Sequence, residues 1–278
     1  MKSFAKWLND FRATTSIPTA VERLGRSVLV GTAELGEFLL FARSFFSWLL
    51  RPPFRRSLFF RQFENLGIRS LPIILLTATF TGMVFALEVG FGFQLFHAES
   101  LVGATVGLAL SREIAPVFTA LMVVARVGSS MAAEIGTMQV TEQVEAMSSM
   151  AVSPVQYLVV PRVVAGTLMV PCLAALYCFV GVLGAYVVAV GLMDIPHIAF
   201  IRRLTYYVDA DDFVSGLLKA AVFGFVLTLI SCFKGYRTTG GAEGVGRATT
   251  QAVVVSSVTI LILDYFLTSF IIELFPEF

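Results

Sequence analysis

Apolar positions gather into long runs that short polar connections separate. Val163 to Met193 contains no charged residue, and about 20 apolar residues are enough for one transmembrane helix. Four further runs reach membrane length with few charges, at about 71–96, 103–126, 213–233 and 249–272. The pattern therefore predicts an all-α integral membrane protein with five transmembrane helices.

The apolar stretch at 28–50 differs from these five because charged residues interrupt it. Glu34, Glu37 and Arg43 would each cost about 2.5–3.5 kcal/mol at the centre of a span, whereas a large apolar residue returns only about 0.3–0.6 kcal/mol. A helix at the membrane interface, with its aromatic side chains in the acyl boundary, is less costly. We therefore predict an N-terminal interfacial elbow helix, with a sixth span as the alternative.

Basic residues are concentrated toward the N-terminus. Residues 1–70 carry eleven Lys and Arg against five Asp and Glu, whereas 71–278 carry nine against fourteen. Because cytoplasmic loops carry the excess of Lys and Arg, we expect the N-terminus in the cytoplasm. It lacks the features of a cleaved signal peptide, so we expect it to be retained. We divide the chain into 1–58, the cytoplasmic N-terminus with the elbow helix, and 59–278, the five-span domain.

Five spans then alternate across the bilayer. The connections at 127–162 and 234–248 are expected in the cytoplasm, whereas the turn at 97–102, the loop at 194–212 and the C-terminus are expected outside. Two arginines in the outer loop oppose this assignment, although four aspartates accompany them. The basic N-terminal region still fixes the orientation.

The sequence offers no catalytic centre and no energy source. The segment 240–250 has glycines spaced as in a phosphate-binding loop, but Arg247 and Ala248 stand where that loop needs Lys and Ser or Thr. His97 and His197 have no partner at metal-binding spacing. The three cysteines fall in or beside predicted spans and match neither a metal site nor a disulfide framework. We expect a non-catalytic chain that holds no metal or cofactor.

Ionisable residues inside predicted spans are energetically expensive and are therefore functional candidates. They are Glu88 in the first span, Arg112 and Glu113 in the second, Lys219 in the fourth and Asp264 in the fifth. Because Arg112 and Glu113 are adjacent, they point about 100° apart on a helix and need different partners. For Glu113 and Lys219 we expect ion pairing or the lining of a polar cavity, with snorkelling to the interface as the alternative.

The segment after the second span is amphipathic. On a helix from Glu134 to Met150, Val140, Val144, Met147 and Ala151 share one face. The opposite face carries Thr141, Glu142, Glu145, Ser148 and Ser149. We therefore predict a cytoplasmic helix between spans two and three that packs its apolar side on the bundle and turns its acidic side toward a partner. A surface helix without a partner is the alternative.

Several motifs in this part of the chain occur together in one family. They are RE-x-x-P from Arg112, AR-x-GSS-x-x-AEIG-x-M from Ala125, TEQ-x-EAM from Thr141, M-AVSP from Met150, PR-x-x-AG from Pro161, FKGY from Phe233 and G-x-x-RATT-x-AVV-x-SS from Gly244. In these motifs, and over roughly 60–272, the chain resembles the MlaE/YrbE-type permeases. These are the membrane subunits of MCE-associated phospholipid-transport ABC systems.

The resemblance implies a homodimer in the bacterial inner membrane, in a system that maintains the lipid asymmetry of the outer membrane. Two copies of a separate ABC ATPase, with its ATP and Mg, would bind on the cytoplasmic side, and an MCE-domain protein would bind in the periplasm. A STAS-domain regulator accompanies some members. Phospholipid would be bound in a cleft at the dimer interface, and no nucleic acid is expected as a partner.

The resemblance also implies roles for individual residues. Those of the ATPase-coupling helix are Glu134, Gln139, Thr141, Glu142, Gln143, Glu145 and Met147. The resemblance places Glu113 and Lys219 near the outward lipid pocket, while Glu88, Arg112 and Asp264 stay candidates as ionisable residues inside spans. Two other functions stay open: a proton-coupled transporter of a hydrophobic substrate with a carboxylate relay, and a membrane scaffold that transports nothing.

Overall fold

The computed structural model describes residues 16–52 and 56–274. The chain forms two compact units, one ending at Leu50 and one beginning at Arg51. The first unit consists of one described helix, α1, Ser16–Leu49. This helix is not among those long and apolar enough to cross a membrane, and its position at the membrane interface stays a prediction.

The second unit contains five helical spans, and the described residues contain no β-strand, so the predicted fold class is confirmed. The spans are Arg56–Gln94, Glu99–Val140, Val155–Gly191, Ala210–Tyr236 and Gly241–Glu273, here called spans 1 to 5. Span 2 has 42 residues, which at 1.5 Å per residue is about 63 Å. Because the hydrocarbon core is only about 30 Å thick, this helix extends well beyond it.

The spans are built from shorter helical segments. Span 1 joins α2, Arg56–Leu66, through a 3₁₀ turn to α3, Leu71–Gln94. Span 2 starts with a 3₁₀ turn and contains α4 Val102–Ala109, α5 Ala115–Val123 and α6 Ser129–Val140, which two π-helical turns separate, Leu110–Ile114 and Val124–Gly128. Such π-turns are often found at functional sites.

The remaining helices complete the unit. Span 3 begins with a third π-turn, Val155–Val159, and continues as α8, Val160–Gly191. Span 4 is α10, Ala210–Tyr236, and α11, Gly241–Leu274, contains span 5. Two short helices lie in the connections: α7, Gln143–Ser149, and α9, His197–Tyr207.

Close contacts show how the spans are oriented. Spans 1 and 3 run in the same direction, because a Cβ on Gly82 would overlap the Gly181 carbonyl and one on Gly90 would overlap Met193. Spans 2 and 4 are likewise parallel, because Gly216 lies against Ser111 near their starts and Gly235 lies against Ala132 toward their ends. We call the end of the unit that carries the 141–154 and 237–240 connections the first end, and the end that carries the 95–98 and 192–209 connections the second end.

The core lies among spans 2, 3 and 4. In the most apolar part of span 4, 56% of the residues are buried, against 17% in span 5. Tyr177 in span 3 is fully buried, and its hydroxyl bonds to Thr81 of span 1, 2.9 Å away. Span 5 therefore lies at the periphery and exposes a long apolar face, which includes Val254, Val258, Leu261 and Phe266.

The prediction of one helix from Glu134 to Met150 is wrong. The helix of span 2 ends at Val140, and α7 begins separately at Gln143. Glu142 between them has a φ of 61°, in the left-handed region, which breaks the helical hydrogen-bond ladder. Since Val140 and Val144 are spaced four residues apart, the apolar pattern continues across the break and gave no sign of it.

Candidate functional site

Lys219 is the centre of a charged cluster near the second end. Its ammonium group donates to Glu113 Oε1 at 2.8 Å, to Thr268 Oγ1 at 2.7 Å and to the Arg112 carbonyl at 3.2 Å. Asp264 Oδ1 lies 3.5 Å from the same nitrogen. An ammonium group has three hydrogens, so these three bonds engage all of them. Lys219 is only 2% exposed, so of the two alternatives for Glu113 and Lys219 the structure shows the ion pair.

Arg112 takes a different partner from its neighbour Glu113. Its Nε lies 2.6 Å from Asp212 Oδ1, and its Nη2 also contacts that oxygen. Asp212 is buried and closes the N-terminus of span 4, where its Oδ2 accepts the backbone N–H of Asp209 at 2.9 Å. Asp209 and Asp212 together form a capping box. The buried carboxylate is therefore hydrogen-bonded on both oxygens.

Local backbone features bring these groups together. Arg112 and Glu113 lie in the first π-turn of span 2. A Cβ on Gly216 would overlap the carbonyl oxygen of Ser111, so spans 2 and 4 touch backbone to backbone at this level. Because no side chain separates the helices, Arg112 reaches Asp212 and Glu113 reaches Lys219.

The other two candidate residues, Glu88 and Asp264, differ in their relation to this network. Glu88 is exposed and, within the described chain, has neither a hydrogen bond nor an ion pair. Asp264 lies beside Lys219, but its buried Oδ1 accepts no hydrogen bond from the described residues. The structure therefore joins Arg112, Glu113, Lys219 and Asp264 and leaves Glu88 outside.

Sequence analysis missed Asp212 and Thr268 as members of the cluster. The spacing Asp209-x-x-Asp212 before an apolar run is a helix-start signal, and it could have marked Asp212 as buried. Thr268 lies one turn after Asp264 and had no such signal.

A second buried ion pair lies near the first end. Arg162 of span 3 is 3% exposed, and its Nη2 is 2.8 Å from Glu134 Oε2 of span 2. Its Nη1 donates to the Leu158 carbonyl at 2.8 Å. Glu134, which we expected to contact the ATPase, therefore also neutralises a buried arginine.

The segment around α7 presents a polar surface held by one apolar anchor. Val144 is 3% exposed, Met147 is half-buried, and Thr141, Glu142, Gln143 and Glu145 are exposed. The Gln139 amide at the end of span 2 donates to Glu145 Oε1 at 2.7 Å, and the Thr141 hydroxyl donates to the Thr137 carbonyl at 2.8 Å. The bond from Gln139 to Glu145 connects the short helix to span 2 across the break at Glu142, whereas the Thr141 bond closes the end of span 2.

Among the described residues, no group of three or more His, Cys, Asp and Glu side chains is arranged to hold a metal ion. The notable polar features of the two ends are instead ion pairs and exposed charged side chains. Buried charges are paired across helices at both ends, and the exposed carboxylates of Glu142 and Glu145 lie at the first end.

The chain matches known proteins over most of its length. Residues 59–270 match the family model of the permease MlaE. A protein of Rickettsia felis named "Probable ABC transporter permease protein" is 44% identical over 245 residues, which are 88% of this chain and 95% of the relative. A protein of Synechocystis sp. with the same description is 44% identical over 207 residues, 74% of this chain and 79% of the relative.

A plant protein is also similar. The Arabidopsis thaliana protein named "Protein TRIGALACTOSYLDIACYLGLYCEROL 1, chloroplastic" is 38% identical over 213 residues, 77% of this chain and 61% of the relative. The family model covers spans 2 to 4 completely and omits only the first residues of span 1 and the last residues of span 5. This multi-pass membrane protein therefore belongs to the MlaE permease family and is a permease subunit.

Proposed function

We propose that the chain is the permease subunit of an ATP-driven transporter that moves phospholipid between membranes. It acts as a homodimer in the bacterial inner membrane, with an ABC ATPase at the first end and an MCE-domain channel at the second end. The N-terminus is then cytoplasmic and the C-terminus periplasmic, and a STAS-domain regulator joins the ATPase in some systems. ATP and Mg bind to the ATPase rather than to this chain.

The exposed α7 segment is the observation that carries the proposal. It extends from span 2, is anchored by Val144 and presents Glu142, Gln143 and Glu145 to solvent. A short helix of this kind suits a groove on a partner, and its bond from Gln139 to Glu145 connects it to span 2. Relatives named as ABC transporter permeases support an ATPase as that partner.

Lipid as the cargo is supported by the exposed surface and by one relative. Span 5 exposes an apolar face that a second copy of the chain would cover, which leaves a cleft for acyl tails. Glu113 remains 40% exposed at the second end, where it can meet a head group. The Arabidopsis relative is named for trigalactosyldiacylglycerol, a galactolipid.

Copurification tests the ATPase contact. Glu142→Lys and Glu145→Lys reverse the charge of the α7 segment, and both are expected to lose the cognate ATPase while the permease remains folded in the membrane. Asp211→Lys, at an exposed position of the second end, makes the same charge change and is expected to retain it. Full retention of the ATPase by both α7 variants would contradict the docking role.

Reconstitution tests the energy source. Liposomes that contain the permease, the ATPase and the MCE protein are expected to transfer fluorescent phospholipid only when ATP is present. Transfer that follows a pH gradient without the ATPase would instead identify a proton-coupled transporter. A complex that binds no lipid by mass spectrometry would identify a scaffold.

A further inference from the structure

A polar cleft opens at the first end between spans 1 and 2. It has a volume of about 280 Å³, and its polar lining consists of Gln62, Asn65, Arg69, Arg126, Ser130 and Glu134. It lies at the opposite end of the unit from the Lys219 cluster. Apart from Glu134, none of these residues has a role in the proposed transport mechanism.

The cleft lies at the depth of lipid head groups. α3 begins at Leu71 and has 24 residues, so it is about 36 Å long and by itself crosses the hydrocarbon core. Gln62, Asn65 and Arg69 come immediately before it. The cleft therefore lies just outside the apolar layer, where a membrane places its phosphate groups.

Its lining has more donors than the protein engages. Within the described residues, the side chains of Gln62, Asn65 and Ser130 make no hydrogen bond. Arg126, in the second π-turn, donates through Nη1 to the buried Ser70 hydroxyl at 2.6 Å. That single bond leaves most of the five donors of its guanidinium group unused.

The charge of the cleft is also incompletely balanced. Glu134 lies 2.8 Å from Arg162, so its charge is already compensated. Among the described residues, the carboxylate nearest to Arg69 is that of Glu64, at a loose 3.9 Å, and both side chains are exposed. Two guanidinium groups are therefore available to one anion with several acceptor oxygens. A phosphate group has this form, and guanidinium groups bind it in a bidentate manner.

We infer that this cleft binds the phosphate group of a membrane phospholipid. Exposed Phe60 and Ile68 on the same segment of span 1 offer apolar surface to its acyl chains. Inorganic phosphate has the same acceptor oxygens, but it has no acyl chains to contact the apolar surface and is not held at the head-group level of the membrane. The inference goes beyond the proposed function, since a lipid bound here needs neither the ATPase nor transport.

Binding to the purified full-length permease in detergent, without the ATPase, tests the site. Native mass spectrometry would follow titration with dioctanoyl phosphatidylglycerol, and dioctanoylglycerol has the same tails without phosphate. Because each arginine supplies a charge-assisted bond, Arg69→Gln and Arg126→Gln are each expected to weaken phosphatidylglycerol binding about tenfold. Arg126→Lys restores part of the affinity. Arg203→Gln, which makes the same charge change at an exposed position of the second end, leaves it within about twofold.

Three results would overturn the assignment. The first is wild-type affinity for phosphatidylglycerol in both cleft variants. The second is an equal loss of dioctanoylglycerol binding, which would indicate general damage rather than loss of a phosphate contact. The third is full displacement of the lipid by millimolar inorganic phosphate, which would assign the cleft to the free ion. Arg69 is exposed, so its variant is expected to fold even where that of Arg126 does not.

Discussion

The Lys219 cluster near the second end and the polar cleft at the first end place charge in opposite environments. Near the second end, Lys219 is buried and its hydrogens are all engaged by residues of spans 2 and 5. At the first end, Arg69 is exposed, and the closest carboxylate within the described part of the chain, that of Glu64, is 3.9 Å away. Buried pairs destabilise a protein strongly when one partner is removed, whereas exposed pairs contribute about 0–1 kcal/mol. The Lys219 cluster should therefore support folding, whereas Arg69 and the cleft should serve binding.

Removing Lys219 should cause the largest loss of stability. Lys219→Met leaves Glu113 and Asp264 without their shared cation, and we expect a loss of about 3 kcal/mol, at the low end for buried pairs because Glu113 is partly exposed. In detergent this corresponds to a fall of about 6–12 °C in the thermal midpoint. The double variant with Glu113→Gln should recover part of the loss. An unchanged thermal midpoint for Lys219→Met would show that the buried cluster does not support the fold, which contradicts its contrast with Arg69.

Separating spans 2 and 4 close to the Lys219 cluster should cause the next largest loss of stability. The new methyl group in Gly216→Ala would overlap the Ser111 carbonyl, so the helices must move apart, at a cost of about 2 kcal/mol. Gly92→Ala is the matched control, because nothing lies within 4 Å of that position. Thermal unfolding of the two variants should differ clearly. Equal stability would show that the backbone contact is dispensable.

Weakening the ion pair between Glu134 and Arg162 near the first end should cause a smaller loss of stability. Glu134→Gln removes the negative charge beside the buried Arg162, while the Gln amide oxygen and the Leu158 carbonyl can each still accept one hydrogen bond from it. We expect a loss of about 1.5 kcal/mol, the scale of a bond to a charged group. Glu243→Gln, in an exposed pair with Arg247 at 3.7 Å, is the control and should change stability little.

The smallest change in stability is expected for a substitution in the cleft. Arg69→Gln removes an exposed charge with one loose partner, and such surface substitutions usually change stability by less than about 0.5 kcal/mol. The same variant should lose affinity for phospholipid. A large fall in its thermal midpoint would show that Arg69 supports the fold, and the contrast between the Lys219 cluster and the cleft would then fail.

Much of the fold could be predicted because the hydrophobic pattern records burial in lipid. The five spans follow from uninterrupted apolar runs, and the pairing of Glu113 with Lys219 follows from the high energy of lone charges in a membrane. The bend after Val140 could not be predicted in this way. It depends on a left-handed backbone at Glu142, and apolar periodicity carries no information about φ.

Other features depend on contacts between distant parts of the chain. Arg112 and Asp212 are 100 residues apart, and only the close approach at Gly216 brings their helices together. The cleft depends on a π-turn around Arg126 and on polar residues of α2 that were assigned no role. No local sequence signal marks a π-turn, so neither the cleft nor its depth could be predicted.

The contacts of glycine with backbone also determine how the helices can move. At Gly82 against Gly181, and at Gly216 against Ser111, main chains touch with no side chain between them. A side chain can absorb a small displacement by changing rotamer, but a main chain cannot. Gly166 of span 3 meets Gly224 of span 4 in the same way. We therefore expect spans 1 to 4 to be coupled to one another and to shift largely together. Span 5, the least buried of the five, is the helix with the most freedom to slide or tilt by itself.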